Sequence, residues 1–324
     1  MTEQISASLS AANAAVPPFS LLRTAIFFPL GFPMEIATNS GEVLDALAES
    51  WGTFSRTSND PPVRLEIQVQ ENNSPLPPPP RYQWRDHLMS IVSDAANFAV
   101  CDFRSNCALL WITAPVAANR GFLRFYFLDS AVLTLIQQRH LAPVHGGLIA
   151  RNGRGVLLCG ESGAGKSTLV YACARAGWTL IADDGTLLVR EHAARYAIGN
   201  FRAIRLRDGA RRFFPELAGR LSTVRPNGKR GMELFTSELP VSVASGCAID
   251  HMVFLNRRGA GPARLDPHPR DRALAWCEQF ANVGEPHVRA AMLRTYQRLA
   301  GAGIWELTYR ELDSAIACLD ELVR

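Results

Sequence analysis

The chain has 324 residues, enough for two domains or for one large domain with an elaborated edge. Hydrophobic residues make up 48% and charged residues 20%, which supports sizeable cores and excludes wholesale disorder. The formal net charge is +4 and no Lys/Arg block is longer than a few residues, so the charge reads as ordinary surface and no nucleic-acid partner is expected.

Residues 1–16 are rich in Ala, Ser and Thr without periodicity, and a frayed tail is expected there. From 17 to 139 the pattern is strand-like with punctuation, predicting an N-terminal α+β, strand-rich domain. The run Ala25-Ile26-Phe27-Phe28-Pro29-Leu30 is far too short to span a bilayer, and no membrane partner is expected. Strict alternation at 63–69 predicts a half-buried strand with Val63, Leu65, Ile67 and Val69 inward. Pro77 to Pro80 form a stiff exposed connector. Apolar runs at 96–103 and 108–113 flank Arg104-Ser105-Asn106 and predict a hairpin. Residues 123–127 read as a further strand of that sheet, and 130–138 as a helix leading out of it.

Residues 147–150 and 155–159 predict a second hairpin, with Asn152-Gly153 as its turn. Directly after it comes Gly160-Glu161-Ser162-Gly163-Ala164-Gly165-Lys166-Ser167-Thr168. This is G-x-x-x-x-G-K-S, a phosphate-binding loop. The glycines permit backbone angles that a Cβ forbids, and let successive N–H groups point at phosphate oxygens. Lys166 supplies a charge for the β/γ-phosphates, and the Ser167 hydroxyl suits Mg²⁺. A short buried strand precedes the loop and a helix over 168–176, closed by Gly177, follows it. That order sets phosphate at a helix N-terminus. Further strands are predicted at 178–182, 186–190, 195–198, 249–256 and 303–308, and helices at 270–281, 285–299 and 309–322.

The strand at 178–182 ends on Asp183-Asp184. Ligand groups in α/β sheets sit at such strand ends. Neighbouring strand residues face opposite ways, so one carboxylate is expected to face Mg²⁺ and the other the acceptor. Taken alone, Asp-Asp-Gly is an ordinary turn; the phosphate loop nearby gives it a chemical role. His145 precedes the strand that pairs with the loop's own strand, which brings it toward the same place. The seven cysteines are odd in number and form no C-x-x-C pair. That argues for reduced thiols, against a zinc site, and, with no secretory signal evident, for a cytoplasmic protein.

Three segments carry a resemblance: Pro143-Val144-His145-Gly146-Gly147-Leu148-Ile149, then 155–167, then Gly177-Trp178-Thr179-Leu180-Ile181-Ala182-Asp183-Asp184. In this order and spacing they resemble the catalytic core of the HPr kinase/phosphorylase family. The resemblance covers about residues 140–190. It implies an α/β fold whose P-loop core, residues 140–324, is of the phosphoenolpyruvate-carboxykinase-like type. It further implies that His145 and Lys166 are catalytic, that Ser167 ligates magnesium, and that Asp184 accepts the hydroxyl proton with Asp183 supporting it. The chain also departs from the family. Thr168 stands where the bacterial kinases usually have an acidic residue. The stretch Gly199-Asn200-Phe201-Arg202-Ala203-Ile204-Arg205-Leu206 lacks the family's magnesium-binding Glu, and no proline- and lysine-rich loop is evident.

A basic segment follows the core, with Arg202, Arg205, Arg207, Arg211, Arg212, Arg225, Lys229 and Arg230. Arginines that meet a transferring phosphoryl group are worth roughly 10³–10⁵ in rate; Arg202 or Lys229 is expected to touch nucleotide or substrate phosphate. The sequence therefore points to a Mg²⁺- and ATP-dependent kinase with a hydroxyl acceptor. A small metabolite is favoured over a protein serine because the HPr-directed features are missing. The alternatives are a nucleotide-binding regulatory domain without turnover and a bifunctional protein-serine kinase/phosphorylase. A homo-oligomer is compatible with all three, and a transport ATPase is disfavoured by the lack of a Leu-Ser-Gly-Gly-Gln-like signature.

Overall fold

The computed structural model describes residues 21–324 except 73, 191, 227 and 258–260. The tail expected at 1–16 lies outside the described residues. The chain folds as a mixed α/β protein. Seven strands build a first sheet: β1 (Arg23–Phe27), β2 (Met34–Thr38), β3 (Val63–Gln70), β4 (Arg81–Arg85), β5 (Leu88–Asp94), β6 (Asn97–Asp102) and β7 (Cys107–Thr113). Their order is β1-β2-β3-β7-β6-β5-β4. Helices α1 (Gly41–Trp51) and α2 (Asp129–His140) pack with it. Val63, Leu65 and Ile67 are buried on alternate positions of β3, as the sequence pattern predicts, and Val69 is only partly buried. The β6–β7 hairpin closes on Asn106, which adopts φ 53°, a left-handed angle that asparagine tolerates.

The stretch read as a strand at 123–127 is helical instead. Leu123–Leu128 forms a π-helical turn that runs directly into α2. The buried residues explain the correction. Leu123, Tyr126, Phe127, Ala131, Val132, Leu135 and Ile136 recur at three- and four-residue steps across both segments. That period shows only over a window longer than the aromatic run itself.

A second, ten-stranded sheet follows. Its members are β8 (Leu141–His145), β9 (Gly147–Arg151), β10 (Arg154–Cys159), β11 (Thr179–Ala182), β12 (Gly185–Val189), β13 (Tyr196–Gly199), β17 (Ser242–Val243), β18 (Gly246–Asn256), β19 (Arg264–Pro267) and β20 (Gly303–Thr308). Between them, β14 (Ala203–Leu206), β15 (Thr223–Val224) and β16 (Arg230–Phe235) form a small sheet of their own. Helix α3 (Lys166–Arg175) lies over β9, and α4 (Arg270–Glu278), α5 (Pro286–Leu299) and α6 (Leu312–Leu322) complete the layers. The β9–β10 hairpin turns on Asn152 and Gly153, both with positive φ, as its Asn-Gly signal requires.

The largest core joins the two sheets. It runs from Met34, Trp51 and Ile67 through α2 to Leu141, Leu187 and Ile198, which belong to strands of the second sheet. A second core wraps α3, and a third lies under α4 and α5.

Two packing details are directly testable. Gly147 sits where α3 crosses β9. A Cβ there would overlap Val170 Cγ2 and come within 3.0 Å of the Asp183 carbonyl oxygen. Gly147→Ala is expected to destabilise by about 1–3 kcal/mol and to loosen the α3 start; a denaturation midpoint equal to wild type would contradict this. Asp129 opens α2, where burial pushes its carboxyl up to about 6, against the pull of Arg124, Arg205 and Arg202. With the folded value above the ordinary 3.8, the folded state holds the proton, and stability is lost as pH rises through that window. Asp129→Asn should therefore melt above wild type at pH 7.5, with the gain vanishing toward pH 4, as thermal melts across pH would show.

Candidate functional site

Strand β10 is buried between β9, antiparallel, and β18, parallel. It ends at Cys159, and the chain turns through Gly160, Glu161, Ser162, Gly163, Ala164 and Gly165 into α3. Gly160, Gly163 and Gly165 adopt φ of 142°, 92° and 99°. Gly165 is the residue on which α3 starts, and a Cβ there would lie 3.1 Å from the Tyr309 hydroxyl. The first-turn N–H groups of α3 have no intrahelical acceptor and are available to an anion seated in the loop's concavity. The Lys166 side chain is folded back into that concavity: Nζ donates to the carbonyls of Gly160 at 2.7 Å and Glu161 at 3.1 Å. Burial lowers its pKa, and the negative Asp184 opposes the drop. Glu161, Ser162 and Gly163 form the exposed rim, with Ser167 and Thr168 half-buried behind it.

The two aspartates part company at the end of β11. Asp183 is buried, with 4% of its surface exposed. Its Oδ2 accepts the Arg205 backbone N–H at 2.7 Å, while Oδ1 is buried without a hydrogen-bond partner among the described residues. Burial raises its pKa to about 6; the Arg205 N–H and the Ser167 hydroxyl, which faces the carboxyl, pull the other way. Asp184 points outward, its side chain about half exposed. The pairing of β8 with β12 sets His145 opposite Gly185, next to Asp184. His145 Nδ1 lies 3.3 Å from Asp184 Oδ1. Burial lowers the His145 pKa, Asp184 raises it, and Lys166 and Lys229 lower it further. The imidazole is thus neutral near pH 7. A neutral imidazole that keeps its proton on Nδ1, the nitrogen facing Asp184, has Nε2 as an acceptor.

The structure brings together His145, Lys166, Ser167, Asp183, Asp184 and the glycine loop. It divides the two basic candidates. The Arg202 guanidinium donates to the Ser50 carbonyl at the end of α1, and so it is held against the first sheet's helix rather than offered to the loop. Lys229 lies close enough for its charge to act on His145. Its turn is anchored from the other sheet's side: the Tyr126 hydroxyl donates to the Pro226 carbonyl at 2.6 Å.

Three further arginines join the site. Arg207 Nη2 donates to the Ser162 hydroxyl at 3.1 Å. The charge of Arg225 feels both Asp183 and Asp184. Arg257 lies over the Phe213 ring at 4.4 Å and the Tyr309 ring at 5.9 Å, beside Gly165. Arg257 had a readable signal, because it directly follows the strand that pairs in parallel with β10, and such strand ends gather ligand groups. Arg207 and Arg225 belong to the basic segment read from the sequence, but nothing singled them out there, since β14 and the turn before β16 reach the loop only through tertiary packing.

Comparison with known proteins gives three findings. The family described as SynChlorMet cassette protein ScmC matches residues 118–204. An HPr kinase/phosphorylase from Halalkalibacterium halodurans is 44% identical over 66 residues, which is 19% of this chain and 21% of that relative's length. The solved HPr(Ser) kinase/phosphatase from Coxiella burnetii aligns with 56% of this chain and 89% of its own, at 12% identity and a TM-score of 0.29. Over part of its length, this chain is related to the HPr kinase/phosphorylases.

Proposed function

We propose that the chain is a Mg²⁺-dependent kinase that transfers the γ-phosphoryl group of ATP to a hydroxyl acceptor. The observation that carries this reading is the His145–Asp184 pair, 3.3 Å apart, set beside a glycine loop whose lysine is buried. In this reading residues 160–168 are a phosphate-binding loop on a phosphoenolpyruvate-carboxykinase-like core. The partition of the sheets supports a division near 139/140, at the end of α2 and just before β8. The free N–H groups of α3 and Lys166 hold the β- and γ-phosphates. Lys166 exchanges its two carbonyl partners for phosphate oxygens when nucleotide enters.

The residues present fit a magnesium ion. Asp183 Oδ1 is a buried carboxylate oxygen without a protein partner among the described residues, and the Ser167 hydroxyl faces the same carboxyl. Hard oxygen ligands few in number, completed by phosphate and water, are what Mg²⁺ takes. Ser167 and Asp183 would hold it, and when bound it neutralises charge on the phosphates. Asp184 Oδ accepts the proton of the acceptor hydroxyl. The acceptor oxygen attacks the γ-phosphorus, the bond from that phosphorus to the β–γ bridging oxygen breaks, and ADP leaves. Neutral His145 fixes the Asp184 carboxylate and keeps Nε2 open toward the acceptor. Lys229 and Arg225 meet the charge that develops on the transferred group.

The acceptor is a small hydroxylated molecule in preference to a protein serine. The segment at 199–206 lacks a Glu, and Arg202 within it is held by Ser50. A cytoplasmic location accords with seven free cysteines. Among the described residues no helix is long and apolar enough to cross a membrane.

Purified protein with Mg²⁺-ATP should release ADP in proportion to an added acceptor, found by screening hydroxylated metabolites. Lys166→Ala should lose nucleotide binding by equilibrium titration. Asp184→Asn should keep that binding but slow transfer by about 10² or more, the range of a lost general base. Transfer by Asp184→Asn within twofold of wild type would overturn the base assignment.

A further inference from the structure

A cleft of about 720 Å³ opens between the β6–β7 turn, the C-terminal end of α2 and one face of α5 along its length. Arg104, Arg139, Arg190, Arg294 and Arg298 all line it. Among the described lining residues one carboxylate stands against them: Glu285, held by Arg104 at 2.7 Å. Arg190 is 9% exposed and donates to the Gln138 carbonyl at 2.9 Å. Arg298 donates to the Arg190 carbonyl and, at 3.3 Å, to the Thr295 hydroxyl. The bonds of Arg298 to neutral oxygens fix its guanidinium group in place without discharging it. Arg139 and Arg294 are exposed at the mouth, and neither is ion-paired among the described residues.

Cationic groups converging on a concave, partly dehydrated space repel one another and raise the local potential for anions. Planar guanidinium forks match phosphate and carboxylate oxygens two at a time. The cleft is also apart from the glycine loop. In the β8–β12 ladder His145 pairs with Gly185 at one end, and Leu141 with Val189 at the other. Arg139 precedes Leu141 and Arg190 follows Val189, so the cleft stands at the far end, roughly 16 Å away at the strand rise of about 3.3 Å per residue.

We propose that this cleft binds a small polyanion carrying two or more phosphate or carboxylate groups, at a site separate from the nucleotide. The claim does not depend on the kinase reading.

Calorimetric titration without Mg²⁺ tests it, using inorganic pyrophosphate and, separately, citrate. Wild type should bind two equivalents of pyrophosphate. Lys166→Ala should lose one of them, reporting on the glycine loop. The double variant Arg139→Ala/Arg294→Ala should lose the other, its affinity falling about tenfold or more. Arg139→Lys/Arg294→Lys keeps the charge and should stay within about tenfold of wild type. If the alanine pair loses its cooperative melt, the single change Arg294→Glu, at an exposed position, carries the same test. Citrate binding lost in the same variants assigns the site to carboxylates as well; pyrophosphate binding alone assigns it to phosphates. Pyrophosphate bound by the arginine variants with wild-type stoichiometry and affinity would overturn the proposal, whatever Lys166→Ala does.

Discussion

The pairing of β8 with β12 is the constraint on which the rest of the molecule depends. Its register sets His145 against Gly185, and so against Asp184, although the two residues lie far apart in sequence. A slip of one residue would turn His145 to the opposite face of the sheet, because side chains alternate along a strand. The register is held from several directions. The Thr186 hydroxyl donates to the Gly146 carbonyl at 2.8 Å, and the Tyr296 hydroxyl of α5 donates to the Pro143 carbonyl at 2.6 Å. Ala142 and Val144 on β8 are buried against α4 and α5, so a slipped strand would also expose apolar surface.

Burial then separates two aspartates that are adjacent in sequence. Asp183 turns inward, where dehydration raises its pKa to about 6. A charged carboxylate at that depth is costly unless it is hydrogen-bonded or ligates a cation. The Arg205 N–H satisfies one oxygen and leaves the other. Asp184, half-exposed, keeps water on one side and an imidazole on the other. One strand end thus yields a group suited to holding a cation and a group suited to taking a proton.

Sequence made the local parts of this site legible. The glycine loop, its flanking strand and helix, and the Asn152-Gly153 hairpin depend on backbone angles and short-range periods, and those survive in any tertiary setting. The same holds for the alternating strand at 63–70. Longer-range features were not legible. The helix through 123–128 was hidden by a run of aromatics that also suits a strand. Arg202 and Lys229 looked alike as basic residues of one segment, and only the approach of α1 and of Tyr126 distinguishes them. Arg257 reaches Gly165 because β18 is long enough to carry it past the end of β10. The arginine cleft draws its members from three separate stretches of chain and leaves no motif in any of them.

The contact between Tyr126 and Pro226 carries a consequence for how this protein can change over generations. The aromatic ring belongs to the segment leading out of the first sheet, and the proline to the turn that bears Arg225 and Lys229. Substitutions that shift the first sheet's helices therefore reach the turn of Arg225 and Lys229 without touching any residue in it. Selection on the placement of that turn can act through the core that joins Trp51 and Phe127 to Leu187. The two sheets would have to drift together, as one inherited unit.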